Sequence, residues 1–182
     1  MNTVHQQNVV VRSPYFPAIN WGAIFAGIIV GLATQLVLAL LGFAAGLSAV
    51  DMTAGGAALS GNAPLYAGAW QGISMLIAAF VGGYVAARMS GLHRKTDGML
   101  HGFVTWSATT LLFALLTTSA LGVLFGGVFD ATTRAPDAQT VEGASIATWT
   151  VFGALALSLV LGVVGGLAGA KGSRRAPRPI AD

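Results

Sequence analysis

Residues 18–47 read AINWGAIFAGIIVGLATQLVLALLGFAAGL and contain no Asp, Glu, Lys or Arg. About 20 apolar residues in a helix cross the hydrocarbon core of a bilayer, so this run is long enough to span it. It is also about twice the length of the apolar part of a signal peptide, and only Arg12 precedes it as a charged residue. We therefore expect it to be a membrane-spanning helix of the mature protein.

Three more apolar runs follow, at residues 66–89, 99–125 and 144–170. The only charged residue within them is Arg88, in the last turn of the second run, and all 6 prolines lie outside the runs. The runs are too long and too uniformly apolar for barrel strands, and helices satisfy their own backbone hydrogen bonds in lipid. The sequence predicts an all-α, polytopic membrane protein with four transmembrane helices in a domain of residues 18–170.

The composition agrees with this fold class. Of the 182 residues, 55% are hydrophobic and 8% are charged, whereas soluble domains carry about 25% charged residues. The chain has no cysteine, which excludes disulfides, thiolate metal sites and cysteine nucleophiles.

The basic residues predict the orientation. Eight of the nine Lys and Arg residues fall on one side of the four runs: Arg12, Arg88, Arg94, Lys95, Lys171, Arg174, Arg175 and Arg178. Short loops rich in Lys and Arg stay cytoplasmic. We therefore expect both termini in the cytoplasm, with a cytoplasmic segment at residues 1–17 and a basic cytoplasmic tail at 171–182. Seven of these basic residues lie at Arg88 or later in the chain. They either contact anionic lipid headgroups or only determine the topology. We expect no nucleic-acid partner.

The two halves of the chain resemble each other. A shift of 83 residues matches Gly82, Gly83 and Arg88 with Gly165, Gly166 and Lys171, and a shift of 80 matches Gly22 with Gly102. The matched helices run in the same direction, so we expect two tandem helical hairpins related by a parallel repeat, with a pseudo-twofold axis along the membrane normal.

Small residues recur at helical spacing and predict close helix packing. The glycines that carry this prediction are Gly27, Gly31, Gly82, Gly83, Gly165, Gly166 and Gly169. Lipid gives no hydrophobic drive for helix association, so close van der Waals contact has to hold the helices together. These glycines pack the helices of one bundle or bind other copies of the chain.

Gln35 is the most polar residue near the middle of the first run, and the third run carries hydroxyls that include Thr110 and Thr117. Gln35 forms an interhelical hydrogen bond or, with these hydroxyls, lines a water-filled path. Hydroxyls in such helices commonly bond to a carbonyl one turn earlier, which favours the structural interpretation.

His93, Asp97 and His101 recur every four residues. This spacing suits a metal or proton site on one helical face. However, Thr96 or Asp97 is a favoured N-cap residue for the third helix, which would leave His93 in the loop. The sequence favours an interfacial capping cluster, and we expect no metal ion and no cofactor.

Three segments together carry a resemblance to known proteins: WGAIFAG at 21–27, FVGGYVAAR at 80–88 and TDGMLHGFVTW at 96–106. The chain resembles a group of small, uncharacterised bacterial inner-membrane proteins, some loosely catalogued as PhnA-like, over residues 20–171. The resemblance implies a four-helix membrane protein and assigns no activity and no functional residue. Nothing in these residues supports the phosphonate chemistry that the label PhnA-like suggests.

The sequence therefore favours a non-enzymatic membrane protein that self-associates through glycine-rich helix faces. The alternative is a passive channel or small-solute transporter that uses Gln35, Thr110 and Thr117. A membrane enzyme is least favoured, since only His93, Asp97 and His101 could supply its chemistry.

Overall fold

Four long helices make up the part of the chain that the computed structural model describes, residues 19–48, 63–92, 94–118 and 141–171. They are α1 (Trp21–Ser48), α2 (Ala63–Met89), α3 (Lys95–Thr118) and α4 (Val141–Lys171). Each is long and apolar enough to cross a membrane, with candidate spans at Trp21–Gly46, Leu65–Met89, Lys95–Leu115 and Thr148–Lys171. For the described residues, the prediction of an all-α fold with four helices long and apolar enough to span a membrane is confirmed.

The helix ends differ from the predicted runs by a few residues, each for a local reason. Helix α1 begins three residues later than predicted, at Trp21, because Asn20 accepts the Ala23 amide through its Oδ1 atom at 3.2 Å and so acts as N-cap. Helix α2 begins earlier, at Ala63, because Pro64 occupies its first turn, where a missing N–H costs nothing. The predicted end of the third run, residues 119–125, lies outside the described residues.

The arrangement of the helices is not symmetric. Helix α2 packs on α1, α3 and α4, and α3 packs on α1 and α4. Among the described residues α1 and α4 do not touch. An exact twofold relation would exchange α1 with α3 and α2 with α4, so the contact of α3 with α2 would require a contact of α1 with α4. The repeat in the sequence therefore stays a prediction.

The helices pack tightly at one end and separate toward the other. Exposed Arg88, Arg94, Lys95 and Lys171 lie where α2 and α4 end and α3 begins, and we name this the basic end. Buried small residues such as Ala23, Ala86 and Ala170 are near it. Toward the opposite end, Gly68 and Gly72 on α2 and Gly153 on α4 have no described heavy atom within 4 Å of where a Cβ would stand. The tight half of the bundle is the half rich in small residues.

Glycines line three contacts between helices of the same chain. At the α1–α2 contact a Cβ on Gly27 would meet the Gly82 carbonyl oxygen at 2.6 Å. At the α2–α4 contact a Cβ on Gly83 would meet the Gly162 carbonyl, and one on Gly165 would meet the Phe80 carbonyl. Gly31 and Gly82 belong to the first contact, Gly169 to the second, and Gly166 faces Gly98 and Gly102 at the α3–α4 contact. All seven glycines selected from the sequence thus face another helix of the same chain.

Candidate functional site

The most polar buried cluster joins the N-terminal ends of α1 and α3. His101, in the second turn of α3, is 0% exposed. Its Nε2 atom lies 3.1 Å from the backbone nitrogen of Asn20, 81 residues earlier, and its Nδ1 atom lies 2.7 Å from the carbonyl oxygen of Asp97. The imidazole therefore connects the start of one helix to the first turn of another.

These two contacts define the proton arrangement of His101. The Asp97 carbonyl can only accept a hydrogen bond, so Nδ1 carries the proton and donates it. The Asn20 amide can only donate, so Nε2 must be the unprotonated acceptor. The geometry assigns the neutral Nδ1–H tautomer, with both ring nitrogens occupied by backbone groups.

Asn20 gains two interactions from this arrangement. Its own backbone N–H, which no helical carbonyl can accept, goes to His101, while its side chain caps the Ala23 amide. The start of α1 is thereby held on α3. An asparagine, a favoured N-cap residue, near the start of the apolar run is the sequence signal that could have identified this cap.

The predicted N-cap of α3 is wrong. Helix α3 begins at Lys95, and the Arg94 carbonyl accepts the Gly98 amide at 3.2 Å, so Arg94 takes the N-cap position. Asp97, 5% exposed, lies in the first turn instead, where its negative charge is favourable to the helix dipole. His93 lies outside the described residues.

The described basic residues lie at the same end of the helices as this cluster. Arg88 and Lys171 lie in the last turns of α2 and α4, where a positive charge stabilises the helix C-terminus. Arg94 and Lys95 are exposed at the start of α3. Arg12, Arg174, Arg175 and Arg178 are outside the described residues.

The described residues place the side chains of Gln35 and Thr110, two of the three residues of the candidate polar path. Gln35 is 9% exposed and lies on the side of α1 that faces α2. Thr110 is half-buried on α3, and the side chain of Thr117 lies outside the described residues. The neighbouring hydroxyl of Thr109 donates to the carbonyl of Thr105 one turn earlier at 2.8 Å, as expected for a structural hydroxyl.

Several polar contacts between helices involve residues that the sequence pattern did not select. The indole of Trp70 donates to the Leu38 carbonyl at 2.9 Å across the α1–α2 contact. The indole of Trp106 donates to Ser158 at 2.9 Å across the α3–α4 contact. Such contacts depend on how each helix is rotated, which uniform apolar runs do not encode.

The described residues contain no group of three His, Cys, Asp or Glu side chains that could hold a metal ion. The groove at Thr96, Met99, Leu100, Phe103 and Val163 is lined by no ionisable side chain. Both ring nitrogens of His101 are bonded to backbone groups, so this imidazole connects two helices and has no ring nitrogen left to act as a base.

Comparisons with protein-family models, curated proteins and solved structures find no match to this chain. The resemblance to the small inner-membrane proteins described above therefore stays a prediction.

Proposed function

We propose that this chain is a non-enzymatic, multi-pass protein of the bacterial inner membrane that associates with further copies of itself. The observation that carries the proposal is a contrast among its glycines. The seven glycines selected from the sequence lie against helices of the same chain, whereas Gly68 and Gly72 on α2 have no described heavy atom within 4 Å of where a Cβ would stand.

Gly72 precedes Gly83 by eleven residues, about three helical turns, so both lie on nearly the same side of α2. At Gly83 that side is covered by the backbone of α4. At Gly72 the helices have separated and the same side is open. Gly68 and Gly72 form a small-xxx-small pair, which allows the close approach of a helix from another copy.

A change at Gly72 tests this association. We expect the wild-type protein in native-lipid discs to contain more than one chain and Gly72→Leu to contain one, because leucine would separate the two backbones. Counting chains by single-molecule photobleaching or native mass spectrometry measures this. Gly153→Leu is the matched control, since Gly153 is equally open but lies on α4. If the wild-type protein has one chain per disc, the proposed self-association is wrong.

The proposed orientation places the basic end in the cytoplasm. Arg88, Arg94, Lys95 and Lys171 are exposed together there, where each charge near anionic headgroups contributes about 1 kcal/mol. The termini then lie in the cytoplasm and the opposite end faces the periplasm.

Reporter fusions test the orientation. We expect a cytoplasm-active reporter to be active when fused after residue 96 or 182, and a periplasm-active reporter to be active when fused within residues 49–62. The reason is the excess of Lys and Arg in the loops on one side. A periplasmic signal after residue 96, or an odd number of crossings, contradicts the topology.

The alternative, a passive channel or small-solute transporter, depends on Gln35 together with the hydroxyls Thr110 and Thr117. Its support is weaker because the contacts on either side of Gln35 along α1, at Gly31 and Leu38, are both with α2. Liposome flux that Gln35→Leu abolishes would favour it over self-association.

A further inference from the structure

Gln35 and Ser74 lie opposite each other in the contact between α1 and α2. The contact is antiparallel, and its paired positions fall at regular intervals. On one side of the pair, Gly31 lies against Ala78. On the other, the Leu38 carbonyl accepts the indole of Trp70. Because Gln35 is one turn beyond Gly31 and Ser74 one turn before Ala78, the register brings the two to the same level.

Both residues are buried, and each has an oxygen without a hydrogen-bond partner. Ser74 is 1% exposed and Gln35 is 9% exposed. The Oγ atom of Ser74 and the Oε1 atom of Gln35 have no partner. Buried polar atoms in proteins are almost always hydrogen-bonded, to protein or to an ordered water.

Ser74 shares this lack of a partner with Thr105 but differs from several other described hydroxyls in these helices. Thr34, Thr109 and Thr150 each donate to the carbonyl four residues earlier at 2.8 Å. Ser158 is as deeply buried as Ser74 but accepts the Trp106 indole and donates to the Leu155 carbonyl. Ser74 has the same local options, yet its hydroxyl is left unpaired beside a second unpaired oxygen.

We propose that Gln35 and Ser74 bind a single water molecule within the α1–α2 contact, near the middle of the membrane. The Ser74 hydroxyl donates to the water oxygen, and the water donates one O–H to Gln35 Oε1. Two protein partners are the minimum that buried waters use. A calcium or magnesium ion does not fit this site. Each needs about six or more oxygen ligands, and α1 and α2 carry no carboxylate.

Water-edited solid-state NMR on the full chain in lipid bilayers tests this site. We expect magnetisation from water to reach Gln35 and Ser74 at least threefold faster than it reaches Ala39, a buried apolar residue one turn from Gln35. Ser74→Ala should reduce the transfer at Gln35 to the level at Ala39, and Gln35→Leu should do the same at Ser74.

Ser158→Ala is the matched control, since this buried serine already has protein partners; it should leave the transfer at Gln35 unchanged. Three results overturn the proposal. The first is wild-type transfer at Gln35 and Ser74 no faster than at Ala39. The second is a hydrogen bond from Ser74 to Gln35 or to the Trp70 carbonyl. The third is transfer at Gln35 that survives Ser74→Ala in a folded protein. None of these depends on whether the chain self-associates.

Discussion

Gly83→Leu is expected to lower the free energy of unfolding by about 3 kcal/mol or more, near or beyond the upper end of what overpacking usually costs. Even a single Cβ at Gly83 would meet the carbonyl oxygen of Gly162, and the carbonyl carbon at 3.0 Å. These are backbone atoms of α4, which cannot turn aside as a flexible side chain would. The two helices must therefore move apart and lose the contact.

The matched control is Gly153→Leu, which places the same side chain on α4 where no described atom lies within 4 Å. Thermal unfolding in detergent micelles or steric trapping in bilayers measures both variants. Alanine makes the test sharper. Replacing an open helical glycine with alanine ordinarily stabilises a helix by about 1 kcal/mol, so Gly153→Ala should be neutral or stabilising while Gly83→Ala destabilises. Equal stabilities for the two alanine variants would contradict the α2–α4 contact.

Gly166→Leu should behave like Gly83→Leu for a different reason. A Cβ at Gly166 would meet the Gly98 carbonyl oxygen and, at 3.1 Å, the Cα and nitrogen of Gly102 on α3. Gly83 and Gly166 are matched by the repeat in the sequence, but one faces α4 and the other faces α3. Equivalent glycines thus serve different contacts, which follows from the asymmetric arrangement of the four helices.

The number and approximate position of the helices could be predicted from the sequence because the bilayer imposes a length and excludes charge. The helix ends could not be predicted, since an apolar run indicates which residues lie in the hydrocarbon core and not where the helix begins. Helix α3 shows this most clearly, because it starts at Lys95, four residues before the apolar run. Polar residues such as Lys95 and Thr96 continue a helix into the interface without difficulty.

The sequence also could not predict which residues of different helices contact each other. A helix that is apolar all round gives no sign of which side faces its neighbours. Gln35 was recognised as polar and central, but its neighbour Ser74 became apparent only from the register between Gly31 with Ala78 and Leu38 with Trp70. Similarly, His101 bonds to the backbone carbonyl of Asp97 one turn earlier. Its second partner is the backbone N–H of Asn20, 81 residues away, which the four-residue spacing did not indicate.

His101 gives the second large expected effect. His101→Leu should lower the free energy of unfolding by about 1–3 kcal/mol, the cost of leaving a partly buried donor without a partner. The donor is the Asn20 amide, which His101 Nε2 accepts at 3.1 Å. Faster hydrogen–deuterium exchange at the Asn20 amide should accompany the loss of stability.

Two amide variants separate the roles of the ring nitrogens. The side-chain amide of glutamine reaches about as far as Nε2, whereas that of asparagine reaches only as far as Nδ1. His101→Gln can therefore still accept the Asn20 N–H and should retain more stability and slower exchange than His101→Asn. Asn20→Asp, which keeps both the backbone N–H and an N-cap oxygen, is the control and should change little. If the asparagine and glutamine variants exchange the Asn20 amide at the same rate, the Nε2 contact does not hold α1 on α3, and the buried imidazole acts only by filling space.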